Sequence, residues 1–260
     1  MILEDLEHRL LSGGVIYIDG CPTYKVTLED MANHGFARMQ NIIALMASND
    51  EYASGFLSNI DDVVSTYCVL MVGILQELQQ LSSGNIKEAT LLNSVLDLLS
   101  LFFRNKAYFD KNMGFVVKDD LDNIVFVLTE ENYSQFRSIL RCRNCFDDLS
   151  GEIDENPANE MAAKLLAKKR MLSEKIRKAK KSQGEDAISM ADLISIFAEA
   201  KSMSLQDVYR NYDIYQFNNQ FNRLKIMDDF RVNIQALLAG AKPEEVKLQH
   251  WLSKIKTNEQ

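Results

Sequence analysis

The sequence predicts an α+β protein, predominantly α-helical, with two short β-hairpins in an N-terminal body and a helical C-terminal region. Three observations predict it. Turn formers are scarce, since 260 residues hold 11 Gly and 3 Pro. That is below the roughly 7% and 5% of average usage and argues against an all-β fold, which needs many turns. Apolar residues recur at helical spacing through most of the chain. Two segments, 15–26 and 114–128, instead place β-rich runs on either side of polar turns. With 47% hydrophobic and 25% charged residues, the composition is that of a soluble globular protein. A chain of this length has enough material for a substantial core.

The elements follow in order. In VIYIDGCPTYKV, 15–26, Val15 to Ile18 form one strand, Asp19-Gly20 is a strong hairpin signal, and Tyr24 to Val26 return. Pro22 belongs at an edge or a strand start. Thr27 opens a helix through a capping-box variant with Asp30, and Met31, Phe36, Met39, Ile42, Ile43 and Met46 continue its apolar stripe. Residues 48–58 read as a connector. Asn59 and Asp61 open a long helix through Leu81, apolar nearly all round from Val63 to Leu75 and therefore expected at the centre of the fold. A further helix over about 87–104 carries Leu91, Leu92, Val95, Leu98, Leu99 and Phe102.

The second hairpin pairs Phe115–Val117 with Ile124–Val127 across a polar turn at 118–123. Thr129 then caps a helix with Glu130 and Glu131 in its first turn, running to about Cys145. The segment DDLSGEIDENPAN, 147–159, is acidic and poor in apolar residues, and marks a boundary. A basic helix over 158–182 follows, with nine Lys/Arg against Glu174 between Lys164 and Lys181. Ser189 and Ser204 cap two short helices, and Asp213 caps a longer one over about 214–239. Gly240 suits its C-terminus, Pro243 starts the next turn, and Trp251 falls in a short final helix. The domain reading is an acidic body over 1–150, a linker and basic helix over 151–186, and a helical C-terminal region over 187–260.

Charge divides along the same line. Residues 1–150 hold 11 basic and 21 acidic side chains, a net of −10, and residues 151–260 hold 18 and 16, a net of +2. An acidic body argues against general nucleic-acid binding. The basic helix 164–181 is open to two readings, a solvated helix that contacts the acidic body or a surface for an acidic partner, nucleic acid included. No aromatic interleaves it, so it offers no base-stacking platform. The opening MILEDLEHRL lacks the basic and apolar regions of a secretory signal. The longest uncharged run, Val63 to Gln76, has 14 residues, short of the roughly 18–20 of a membrane span.

Chemistry finds little purchase. Cys142-Arg-Asn-Cys145 is a lone CxxC at a helix end, without the further ligands of a zinc site or the helix start of a redox site. It reads as structural thiols. Asp120, Asp122 and Glu131 match positions 1, 3 and 12 of a calcium loop, but Ile124 and Val125 stand where an oxygen ligand and a Gly are required. Acidic pairs recur at helix starts and turns, where backbone N–H groups stabilise them. The common nucleophile, zinc and phosphate signatures are absent. No enzyme activity, catalytic residue, metal or cofactor is expected. The aromatics Tyr209, Tyr212, Tyr215, Phe217, Phe221 and Phe230 serve a core or, in part, an anchor surface for another protein.

Residues 211–242, NYDIYQFNNQFNRLKIMDDFRVNIQALLAGAK, and 129–145, TEENYSQFRSILRCRNC, resemble segments of tail-region proteins of long-tailed bacteriophages, in particular tail assembly chaperones. The likeness rests on Tyr215, Gln216, Phe217, Gln220, Phe221, Arg223, Leu224 and Ala239-Gly240-Ala241, with His250-Trp251 following. The two segments cover roughly a fifth of the chain. The resemblance implies a non-enzymatic role in the host cytoplasm. Such chaperones bind the long helical tape measure protein, keep it soluble, help recruit tail tube protein and are absent from the finished virion. Many are made in two forms through a translational frameshift, and the resemblance implies that this chain is the shorter form or a variant without the extension. Tyr215, Phe217, Phe221 and Arg223 are then the candidate protein-interaction residues, and a homo-oligomer is compatible with the sequence. Two other readings stand beside it: a structural tail or capsid component, and a nucleic-acid-binding regulator using the helix 164–181.

Overall fold

The computed structural model describes residues 3–55, 64–146, 188–240, 242 and 250–252. The expected basic helix 158–182 and the boundary segment 147–159 lie outside them. The chain forms two compact units, Met1–Leu149 with Tyr209–Gln260, and Ser150–Val208. The architecture is α+β and predominantly helical, with one two-stranded and one three-stranded antiparallel sheet.

The first unit opens with α1 (Leu3–Ser12), then β1 (Ile16–Ile18) and β2 (Cys21–Thr23). The turn between these strands is Asp19-Gly20, both at positive φ, 47° and 79°, the conformation that a two-residue hairpin of matching twist requires. It pairs Ile18 with Cys21 and Ile16 with Thr23. The return strand therefore starts three residues before the expected Tyr24, and Pro22 sits inside it opposite Tyr17, in a sheet where both strands are edges.

Thr27 caps α2 (Leu28–Asn33) through a full capping box with Asp30. The single helix expected from Thr27 to Met46 is in fact two. Gly35, at φ 86°, breaks it before α3 (Phe36–Ala47). The apolar stripe survives the break because Met31 from α2 and Met39, Ile42, Ile43 and Met46 from α3 all reach one core. The connector expected at 48–58 contains a short helix, α4 (Asp50–Ser54), capped by Asn49.

Next comes α5 (Thr66–Ser82), capped by Ser65; the expected start at Asn59–Asp61 lies outside the described residues. It is not the central helix. Val69, Leu70 and Ile74 are buried, but Val72 and Leu75 are exposed. The centre belongs to α6 (Thr90–Phe103), whose Val95, Leu98, Leu99, Phe102 and Phe103 are all fully buried. Ala89 precedes α6 and offers no side-chain cap. Glu77 of α5 supplies one instead, its two carboxylate oxygens accepting from the amides of Leu91 and Leu92 at 2.8 and 2.9 Å.

Arg104, at φ 55°, ends α6 in the left-handed region. The chain then enters β3 (Lys106–Asp110), a strand that the sequence reading did not contain. With β4 (Gly114–Lys118) and β5 (Ile124–Leu128) it forms a meander in the order β3-β4-β5. Phe115 and Val117 of β4 enter the core with Phe126 and Leu128 of β5, and Phe126 stacks on Phe103 at 4.5 Å. Of the calcium-loop match, Asp120 and Asp122 lie in a tight turn in which Asp119 Oδ1 accepts from the amides of Leu121 and Asn123, while Ile124 and Val125 belong to β5 and Glu131 to the helix that follows. Lys118 pairs with Asp122 in that turn.

Thr129 and Asn132 box the start of α7 (Glu130–Arg143). This helix closes the core, with Phe136 edge-on to Phe102 at 5.2 Å. The Tyr133 hydroxyl donates to the Met46 carbonyl at 2.8 Å, and burial drives that phenol well above its ordinary range. Arg137 joins α7 to α4 and α5. The Asp50 carboxylate accepts from Arg137 Nη1 at 2.6 Å, from the Thr66 amide at 2.8 Å and from the Thr66 hydroxyl at 2.7 Å. Burial pushes the Asp50 carboxyl up, but these donors outweigh it and hold the group below the usual aspartate value.

In the second unit, Ser189 and Asp192 box the start of α8 (Met190–Ala200), which buries Ile194, Phe197 and Ala198. Ser204 accepts from the Asp207 amide at the start of α9 (Leu205–Asn211), which spans the division. The last helix, α10 (Ile214–Leu238), belongs to the first unit and packs against α1 and α7. Among the described residues, no helix is long and apolar enough to cross a membrane.

Candidate protein-docking surface

The helix α10 has 25 residues, or about 37 Å at 1.5 Å per residue. It starts because Asp213 and Gln216 form a complete capping box, and it stops where Gly240 turns at φ 99°. Only Tyr215 and Phe217 are fully buried along it. The first turn is therefore an anchor, and the remaining turns, about six, lie on the surface.

The anchor is dense in polar contacts. Gln216 Nε2 donates to the Leu11 carbonyl at 2.9 Å, and Lys25 Nζ donates to the Asn211 carbonyl at 2.6 Å and to Gln216 Oε1 at 3.1 Å. The Leu28 amide donates to the Tyr212 carbonyl at 2.9 Å. Beneath these bonds, Arg143 and Asp213 are each 3% exposed at the side chain and stand 3.8 Å apart, Nη1 to Oδ2. Arg143 Nη2 donates to the Gly14 carbonyl at 2.9 Å, and Asp213 Oδ1 accepts from the Gln216 amide at 2.8 Å. Among the described residues, Arg143 Nε and Nη1 and Asp213 Oδ2 find no hydrogen-bond partner. Burial pushes the Asp213 carboxyl up to about 6, against the opposing pull of the Gln216 amide, Arg143 and Lys25. Burial likewise lowers Arg143.

Beyond the anchor, α10 turns apolar groups outward. Met227, Phe230 and Ile234 follow one another at spacings of three and four and share one face. Residues 250–252 return beside this face. Arg223 Nη1 donates to the Trp251 carbonyl at 2.7 Å, His250 stacks on Trp251 at 5.8 Å, and Phe230 meets the His250 ring edge-on at 5.4 Å. Between them lies an open hollow of about 400 Å³, lined by Met227, Phe230, Arg231, Ile234, Gln235 and Trp251. Met227 is 41% and Trp251 44% exposed, and Val232, Leu238 and Leu252 are more so. An apolar hollow with a methionine, two aromatics and a polar rim has the chemistry of a protein-docking pocket.

The four residues singled out from the sequence divide between anchor and surface. Tyr215 lies in the main core cluster and Phe217 is fully buried. Phe221, half-buried, stacks on Phe217 at 5.6 Å. Arg223 reaches the hollow through its bond to the Trp251 carbonyl. Phe230 stood in the aromatic series offered as core or anchor surface, but sequence reasoning did not select Met227, Ile234 or Trp251, although the three-four spacing from Met227 to Ile234 was readable. The cysteines of the CxxC are set back from solvent. Cys142 is buried, and burial pushes the Cys145 thiol up to about 11. A protonated thiol is neither a nucleophile nor a good metal ligand. Among the described residues, no three His, Cys, Asp or Glu side chains gather as a metal site.

No curated protein and no solved structure matches the chain. Residues 178–256 match the family described as the YomV second domain. The match takes in α8, α9, α10 and Trp251, and so includes the whole lining of the hollow. That part of the chain is similar to a phage-associated domain.

Proposed function

We propose that this protein is a bacteriophage tail assembly chaperone, acting without chemistry in the host cytoplasm. It binds the tape measure protein and helps recruit tail tube protein. The observation that carries the reading is the apolar hollow on α10, which falls inside the segment similar to a phage-associated domain. A tape measure protein presents long apolar helical stripes, which aggregate unless covered. A hollow bordered by Met227, Phe230, Ile234 and Trp251 suits one apolar helix laid against it. The net charge of −8 favours keeping such a complex in solution. The reading through nucleic acid rests on the helix 164–181, outside the described residues.

Co-expression with the long helical protein encoded beside it is the direct test. The expected result is rescue of that protein's solubility and co-purification, both lost in the variant Phe230→Glu with Ile234→Glu. Unchanged solubility and no co-purification with the wild-type chain would sink the proposal. Mass spectrometry of finished particles separates the alternative: stoichiometric presence of the chain identifies a structural tail or capsid component instead.

A further inference from the structure

The base of α10 holds an electrostatic arrangement that stability alone does not explain. Asp213 caps the helix with one carboxylate oxygen, and its other oxygen faces Arg143 at 3.8 Å, beyond hydrogen-bond distance. The surroundings are largely apolar: Val26, Ile43, Leu98, Phe102, Leu140 and Ile214 line the small space beside the pair. A carboxylate so placed has exchanged its hydration for the amides of Gln216 and, more weakly, Tyr215, with Oδ2 lacking a hydrogen bond among the described residues, and for the charges of Arg143 and Lys25. The charged groups around it are few. From α7 there is Arg143, with the thiol of Cys145, held protonated by burial, nearby, and from the segment before α2 there is Lys25. From α1, Glu7 acts on the neighbouring Tyr215. Lys25 already serves the Asn211 carbonyl and Gln216. The hydrogen bonds that reach this corner therefore hold the backbone of α10 and leave half of the carboxylate unserved.

We propose that the base of α10 is a proton-coupled joint: seating Asp213 against α7 takes up a proton, so α10 grips the body more tightly in mildly acidic than in neutral solution. The upward displacement of Asp213 to about 6 agrees with this direction. The sign follows from linkage. The seated state binds more protons than the released state wherever the pH lies between the ordinary aspartate value of 3.8 and the raised one. Across that range, seating weakens as pH rises. The inference concerns the anchor only and stands whatever partner the hollow receives.

Amide hydrogen exchange on the full chain tests it. The reporters are the Leu28 amide, bonded to the Tyr212 carbonyl, and the Phe217 amide, bonded to the Asp213 carbonyl. Each rate is divided by the intrinsic rate at the same pH. Protection at these two amides is expected to fall about tenfold between about pH 5 and about pH 8, while amides of α6 hold steady relative to them. In Asp213→Asn, which keeps a capping oxygen, the pH dependence should vanish. Protection in the wild type that is flat or rises with pH overturns the proposal, as does a pH dependence that survives in D213N. Should D213N not fold, carbon-13 titration of the wild-type carboxyls decides. One aspartate with a midpoint near 6 supports the joint, and none above the ordinary range refutes it.

Discussion

Thr27 and Asp213 form an antiparallel β-bridge, and each is also the N-cap of its own helix. Two capping boxes from opposite ends of the chain thus stand side by side, and the Leu28 amide donates to the Tyr212 carbonyl between them. The start of α2 and the start of α10 are consequently set by one shared strip of backbone.

That arrangement predicts coupled caps. Asp213→Ala and Thr27→Ala should each lower stability by about 1–2 kcal/mol in denaturant unfolding at neutral pH. Asp213→Asn should cost less, since Asn caps as well as Asp. The double alanine variant should depart from the sum of the singles by about 0.5 kcal/mol or more, because the two sites touch. Strict additivity would show that the bridge carries no energy.

Glu77 offers a second test, as a cap supplied by a different helix. Its carboxylate serves the Leu91 and Leu92 amides at the start of α6, where negative charge is favoured. Glu77→Ala should cost about 1–3 kcal/mol, which an ordinary surface substitution on α5 would not. A midpoint in urea within error of the wild type would refute the capping role.

Two glycines at similar backbone angles should respond differently to alanine. Gly114 has φ 82°, and a Cβ there would stand 2.6 Å from the Tyr67 hydroxyl. Tyr67 is itself held by its bond to the Leu128 carbonyl. Gly20 has φ 79° and open space around it. Gly20→Ala should therefore cost only the backbone strain, about 1–2 kcal/mol. Gly114→Ala adds a collision and should cost about 1 kcal/mol or more beyond that. Thermal melts of the two variants, compared directly, give the order.

Acid should weaken the junction of α4, α5 and α7. The Asp50 carboxyl lies below the ordinary aspartate value in the folded chain. Its contribution is complete above that ordinary value and is lost as pH falls through the lowered one. Asp50 is more than a third exposed, so solvent screening limits the loss to about 1 kcal/mol. Arg137→Met should remove part of it, flattening the acid limb of the stability curve. An acid limb identical in wild type and R137M would contradict the assignment.

Local chemistry made much of this fold legible. The capping boxes at Thr27, Ser189 and Asp213 and the Asp19-Gly20 turn name their own structures, because the residues that form them are neighbours in sequence. Where the outcome depended on partners far along the chain, the reading fell short. Lys106 and Asp110 bracket β3 with charge, and only its pairing with β4 makes that segment a strand. The break at Gly35 was hidden because both helices keep the same stripe toward the core. The apolar α5 suggested a centre, yet α6 occupies it, since the sheet and α3 pack on α6. At the candidate site, the aromatics of α10 were visible but their sorting was not. Tyr215 is buried beside α1 and α7, while the hollow lies further along and needs residues 250–252 to return. The Arg143–Asp213 pair had no sequence signal at all, as its members lie on separate helices and neither belongs to a charge cluster.

The hollow on α10 also contains the chain's one tryptophan, Trp251, nearly half exposed against the ring of His250. All indole emission from this protein therefore originates at that single location. Anything that fills the hollow must shift or quench that emission, and anything that binds elsewhere must leave it alone. The protein thus carries a built-in optical probe, and a simple fluorescence titration can tell occupancy of this surface from contact with any other.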